Sequence, residues 1–191
     1  VGKAKPTKKP PALTFTAYHE AGHVVVAVLL RLPLRHATIG RDDEAGTLGL
    51  VSHRLKHAPD KVDGIRARLH FENHTMCSWG GIVAEWFLTG RRNWRGARQD
   101  LHAIDESALM FCDERREAEA YVAWLRIRTE KLLATIPNWR AIESVASALT
   151  VHTRLPASRL RAIVSQAVRS AETPSGADLQ SLERRLAMME G

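Results

Sequence analysis

The run Val24-Val-Val-Ala-Val-Leu-Leu30 is the longest uninterrupted aliphatic stretch of the chain, and it constrains the fold more than any other feature. It falls far short of the roughly 20 residues that span a bilayer. A segment apolar on every side must nevertheless be buried on every side. Three consecutive valines would suit a strand, but Ala17, Glu20, Ala21 and Ala27 around them favour helix. The pattern therefore predicts a buried helix from Phe15 to about Arg31, capped by Thr14 or Thr16 and stopped by Pro33.

Helical periodicity dominates the rest. It predicts a helix over Asp60–Thr89, interrupted by Gly80–Gly81, and another from Arg98 or Asp100 to Asp113. Glu117–Ile136, Asn138–Thr150, Ser158–Ala171 and Ala177–Met189 read as four more, punctuated by Pro137, Pro156 and Pro174-Ser-Gly176. Each helical glycine costs roughly 1 kcal/mol against alanine, so the Gly80–Gly81 pair marks a place where another backbone comes close. His36–Gly40 and Thr47–His53 flank a polar turn, Arg41–Gly46, and read as an antiparallel pair. The expected fold is mainly α with one small antiparallel β element.

An apolar content of 45% over 191 residues excludes wholesale disorder. With only two cysteines, Cys77 and Cys112, and no C-x-x-C, a disulfide scaffold and a thiolate-rich zinc site are excluded. Both thiols are expected to be buried, and the expected address is a reducing cytoplasm. The first residues carry no signal-peptide pattern. Lys3, Lys5, Lys8 and Lys9 supply more than half of the formal charge of +7. With three prolines among them, residues 1–12 are expected to be a flexible, solvated basic arm.

Inside the first helix lies His19-Glu20-Ala21-Gly22-His23, an H-E-x-x-H string. At about 100° per residue, positions four apart differ by only about 40°, so both imidazoles share one helix face. Two neutral imidazoles so placed can bind one zinc at about 2.0–2.1 Å. Glu20 then lands beside the metal without ligating it, as a base for a metal-activated water and later an acid for the leaving amine. Hydrolysis needs a third protein ligand and an open position. Spacing alone leaves His36, His53, His57, Glu72, His74, Glu85, Asp100, His102 and Asp105 as candidates.

The string Thr16–Leu30 resembles the zinc helix of FtsH-type proteases, the membrane-bound AAA metalloproteases. Further segments are similar in the same order. Thr38-Ile39 with Leu48-Gly49 resembles that family's short β element, and Trp79–Glu85 its G-G-x-x-A-E helix. Gly96–Leu101 resembles its G-A-x-x-D-L junction, and Asn138–Leu160 its C-terminal helical hairpin. The resemblance covers about residues 14–165 and implies a zincin-like helical peptidase domain. It implies that His19, His23 and Asp100 hold one Zn²⁺ with Glu20 as the catalytic base. Glu85 is the rival third ligand, expected instead to orient a ligand from behind. The domains expected are the arm, a zinc peptidase core over residues 13–116, and a helical part over 117–191 packed on it.

This sequence departs from the family in carrying neither the ATPase module nor the membrane anchors, and Trp86 stands where the family has a second acid. The expectation is a zinc metalloendopeptidase that cuts peptides or unfolded proteins without its own ATPase. Leu48, Gly49 and Leu50 are the expected substrate edge, where an extended peptide can add as a strand. A separate ATPase partner and a homo-oligomer remain open, while no membrane span is expected. Arg91, Arg92, Arg95, Arg98 and Trp94 form a basic loop read as solvated beside an acidic groove or partner rather than as a nucleic-acid site. Trp79, Trp86, Trp124 and Trp139 are assigned to the core. His36, His53, His57, His70, His74 and His152 read as satisfied or surface histidines. The alternative is a non-catalytic zinc-containing binding or regulatory module, acting through the basic loop and arm. Retention of Glu20 favours the enzyme, because a structural zinc site needs no general base.

Overall fold

The computed structural model describes residues 12–42, 47–52, 64–109, 111–171 and 173–190. In chain order the elements are α1 (Ala12–Leu29), β1 (His36–Asp42), β2 (Thr47–Ser52), α2 (Ile65–Thr89), α3 (Arg98–Leu109), α4 (Arg115–Ala134), α5 (Ile136–Val151), β3 (Arg154–Pro156), α6 (Ala157–Arg169) and α7 (Gly176–Glu190). The fold is mainly helical with a small antiparallel sheet. No helix among the described residues is long and apolar enough to cross a membrane.

The aliphatic run lies in α1, where Val24, Val25, Val26 and Ala27 are all fully buried. Four successive buried residues cover the whole helix circumference, so burial overrides the β preference of valine. α1 packs chiefly against α2 and α5. It crosses α2 where Gly22 faces Gly80, and a Cβ on Gly22 would stand 2.2 Å from the Gly80 carbonyl oxygen. Two glycines let the backbones meet there, which is what the double glycine in the sequence signalled.

α1 begins by Ala12, so Thr14 and Thr16 sit inside its first turns rather than capping it. At the other end Arg31 takes the left-handed conformation (φ 56°) and the Leu32 N–H bonds back to the Ala27 carbonyl at 2.8 Å. This closes the helix two residues ahead of Pro33. Of the expected basic arm, residues 1–11 lie outside the described residues, as do Asp60–Asp63 of the long helix.

The sheet has the order β2-β1-β3, all antiparallel. β1 pairs His36 with Ser52 and Thr38 with Leu50, then skips one residue before Arg41 pairs with Leu48. That extra residue is a bulge at Ile39–Gly40. β3 pairs with the other side of β1, Ala37 opposite Leu155. The third strand was not expected from the sequence: three residues ending in proline carry no alternation, and only the long-range pairing with β1 makes them a strand.

One hydrophobic cluster runs from Ala17 of α1 through α2 and α3 to Leu160, Val164 and Ala167 of α6. Those last three recur at helical spacing on one face. Trp79, Trp86 and Trp139 are buried in this core, but Trp124 is 45% exposed. Trp124 lies next to Leu125, which turns inward, so its ring instead stacks on Tyr121 with Arg128 4.8 Å above it. Both cysteines are buried thiols. α7 is held by Arg140 of α5, which grips Asp178 with two nitrogens, and by the buried Arg185, which lies over Trp139 and donates to the Ala134 carbonyl.

Candidate metal centre

The glycine crossing of α1 and α2 turns His19 and His23 toward α2. The next residue of α2 is Gly81, and a Cβ there would lie 2.5 Å from His23 Nε2 and 2.6 Å from His19 Nε2. The two glycines thus have separate reasons: Gly80 admits a backbone, and Gly81 leaves room for two imidazoles.

Asp100, in the first turn of α3, closes the group. Its Oδ2 lies 3.0 Å from His19 Nε2 and its Oδ1 lies 3.4 Å from His23 Nε2. Ligand atoms of all three residues fall within 4.8 Å of one another. The far side of each ring is engaged as well. His23 Nδ1 donates to the Cys77 carbonyl at 2.7 Å, and a carbonyl can only accept, so Nδ1 carries the proton. His19 Nδ1 faces Glu85 Oε2 at 3.4 Å. With both Nδ1 protons directed at acceptors, both Nε2 lone pairs can ligate, the tautomer that metal binding requires.

Glu20, 5% exposed, is buried beside this cluster, and its Oε2 has no hydrogen-bond partner among the described residues. Burial pushes its carboxyl upward, against the pull of His23 and His19. Burial pushes both imidazoles down, but Asp100 outweighs that and the net shift of each is upward, assisted by Glu85 at His19 and by the Cys77 carbonyl at His23. Burial would raise Asp100; the two histidines overcome it and hold the carboxyl well below the usual range. Glu85 is lowered too, burial being outweighed by His19 and Asn93.

Two imidazole nitrogens and a carboxylate oxygen are a donor set suited to zinc. The Gly81 cradle and the unpartnered Glu20 oxygen meet the further needs of room and a nearby base. The residues present therefore fit a zinc ion.

Asn93 had no place in the sequence reading. Its side-chain amide donates to Glu85 Oε1 at 2.9 Å, and its Oδ1 accepts the Gly96 N–H at 3.1 Å. One residue therefore holds Glu85 against His19 and shapes the turn that launches α3 with Asp100. An Asn three residues before a Gly, just ahead of a helix, is the sequence signal that could have found it. The Cys77 contact has no such signal, because a backbone carbonyl is common to every residue.

Other candidate ligands lie elsewhere. Glu72 accepts from the Tyr121 hydroxyl and pairs with Arg68 and Arg128. The His74 ring packs on His70, and His102 pairs with Glu106 on the surface. His36 opens β1, Asp105 lines a groove between α3 and α4, and His53 and His57 lie outside the described residues. Leu48, Gly49 and Leu50 belong to β2, an outer strand whose far side has no partner among the described residues. In the basic loop, the Arg92 guanidinium lies 4.3 Å over Trp86 and 5.9 Å from the Trp94 ring centre, and 3.9 Å from the buried Glu130. No protein-family model matches the chain, and no curated protein does.

Proposed function

We propose that this chain is a zinc-dependent endopeptidase with a zincin-like fold of the FtsH type, cutting peptides or already unfolded proteins. One observation carries the reading: Glu20 buries a carboxylate oxygen with no partner among the described residues, one residue from His19, whose Nε2 converges with that of His23 on Asp100. An unpaired buried carboxylate is costly and serves no purpose in a purely structural metal site.

His19, His23 and Asp100 would hold the ion. When bound, zinc supplies Lewis acidity to the scissile carbonyl and to a nearby water. Glu85 and the Cys77 carbonyl orient the two imidazoles by holding their Nδ1 protons. Glu20, its carboxyl raised by burial, takes the proton of the attacking water and passes it to the leaving amine. The edge of β2 away from β1, which has no partner among the described residues, offers main-chain groups to an extended peptide.

The test is ATP-free cleavage of an unfolded protein by the zinc-loaded chain, with Glu20→Gln alongside. Expected is one zinc per chain in both and cleavage at least about 100-fold slower in the variant. Zinc without cleavage by the parent would favour the non-catalytic module, and a folded parent that takes no zinc would overturn the metal centre.

A further inference from the structure

The segment joining the site's two outer carboxylates, Glu85 and Asp100, contains Arg91, Arg92, Arg95 and Arg98 and neither Asp nor Glu. It is pinned to the site. The Asn93 amide is bonded to Glu85, and the Thr89 hydroxyl lies 2.8 Å from the Glu85 carbonyl and 2.9 Å from that of Arg91. Arg92 is engaged by Trp86, Trp94 and Glu130. Arg91 and Arg95 are exposed, and neither has an ion-pair partner among the described residues. Each stands two residues from Asn93, so its Cα lies within about 7 Å of the residue that touches Glu85.

We infer that Arg91 and Arg95 form a cationic rim at the metal centre that selects peptides with acidic residues beside the scissile bond. The inference rests on the peptidase reading and adds the substrate class to it. A freely moving basic loop would be an ordinary solvated segment. Here the hydrogen bonds of Asn93 and Thr89 tie the backbone that carries Arg91 and Arg95 to Glu85. Carboxylates are the groups in a peptide that such a fork recognises. A nucleic-acid strand would want free aromatic faces, whereas Arg92 already lies over Trp86 and against Trp94.

The experiment uses two labelled ten-residue peptides, one with four glutamates and one with glutamine at the same positions. Binding is measured by fluorescence anisotropy to zinc-loaded Glu20→Gln, with and without Arg91→Gln and Arg95→Gln together. Expected is about tenfold tighter binding of the acidic peptide at low salt, lost in the double-arginine variant and shrinking toward 0.15 M salt. Equal binding of the two peptides, or a preference that survives the arginine changes, would overturn the inference. So would an oligothymidine that binds more tightly than the acidic peptide and depends on the same arginines. Unchanged zinc uptake and circular dichroism control for folding. Cleavage of the glutamine peptide by the parent reports on the peptidase reading separately, so each idea can fail without the other.

Discussion

Gly81 and His23 are close enough that a single methyl group would separate them from their present arrangement: a Cβ on Gly81 would stand 2.5 Å from His23 Nε2. Alanine is the better helix former, so Gly81→Ala should not weaken α2 by itself. It should instead push both imidazoles aside and lower zinc affinity about 10- to 100-fold. Chelator competition checks this, and unchanged affinity would mean that the cradle is not where metal sits.

Gly22→Ala should behave differently. Its Cβ would meet the Gly80 carbonyl oxygen at 2.2 Å, and backbone cannot swing away as a side chain can. We expect a loss of about 3 kcal/mol in global stability as α1 and α2 are forced apart. Denaturant unfolding in the absence of metal measures it.

Asn93→Ala and Asn93→Asp separate two roles of one residue. Aspartate keeps the acceptor for the Gly96 N–H but places a carboxylate against Glu85, while alanine removes both bonds. If Asn93 acts through Glu85 on His19, both variants lose about tenfold in zinc affinity or more. An Asn93→Asp protein with parental affinity would reduce Asn93 to a turn former.

Stability should depend on pH with opposite sign in the two metal states. Without metal, His19 and His23 have raised values in the folded chain, so their contribution is complete below about pH 6.5 and fades as pH rises through those values. Asp100, lowered by the same pairs, contributes above the unfolded carboxylate value and loses that contribution only in strong acid. Zinc needs neutral imidazoles, so binding releases protons and zinc-conferred stability grows with pH. Melting temperatures from pH 5.5 to 8.5, with and without zinc, should therefore diverge.

Asp178 of α7 is gripped by Arg140 through two bonds, at 2.8 and 2.5 Å, and is also bonded by Ser175. Asp178→Asn should release the start of α7, seen as several-fold faster amide exchange over that helix. Zinc affinity should stay at the parental value, since α7 packs chiefly against α4 and α5, whereas His19, His23 and Asp100 lie on α1 and α3.

Most of the helices were legible in the sequence because their periodicity and proline or glycine stops are local. Their ends were less so: α1 already includes Ala12 and Leu13, which places Thr14 and Thr16 inside the helix. Trp124 looked like core on residue type alone, yet its position beside Leu125 puts it on the outer face of α4. The same division runs through the candidate site. The four-residue spacing of His19 and His23 places both imidazoles on one helix face whatever the rest of the chain does. Composition likewise excluded a thiolate site and a disulfide scaffold without reference to any fold.

What only the tertiary structure decided is which distant groups meet those imidazoles. Nine candidates had the chemistry of a third ligand, and the packing of α3 brings Asp100 to both Nε2 atoms. Glu85 and the Cys77 carbonyl arrive because two glycines let α2 cross α1 closely, and Asn93 arrives through a turn that no helical period describes. β3 becomes a strand only by pairing with β1, more than a hundred residues earlier. The physical reason is common to all of these: spacing along a helix is set by backbone geometry within a few residues, whereas a contact between distant segments depends on how whole helices fill one shared core.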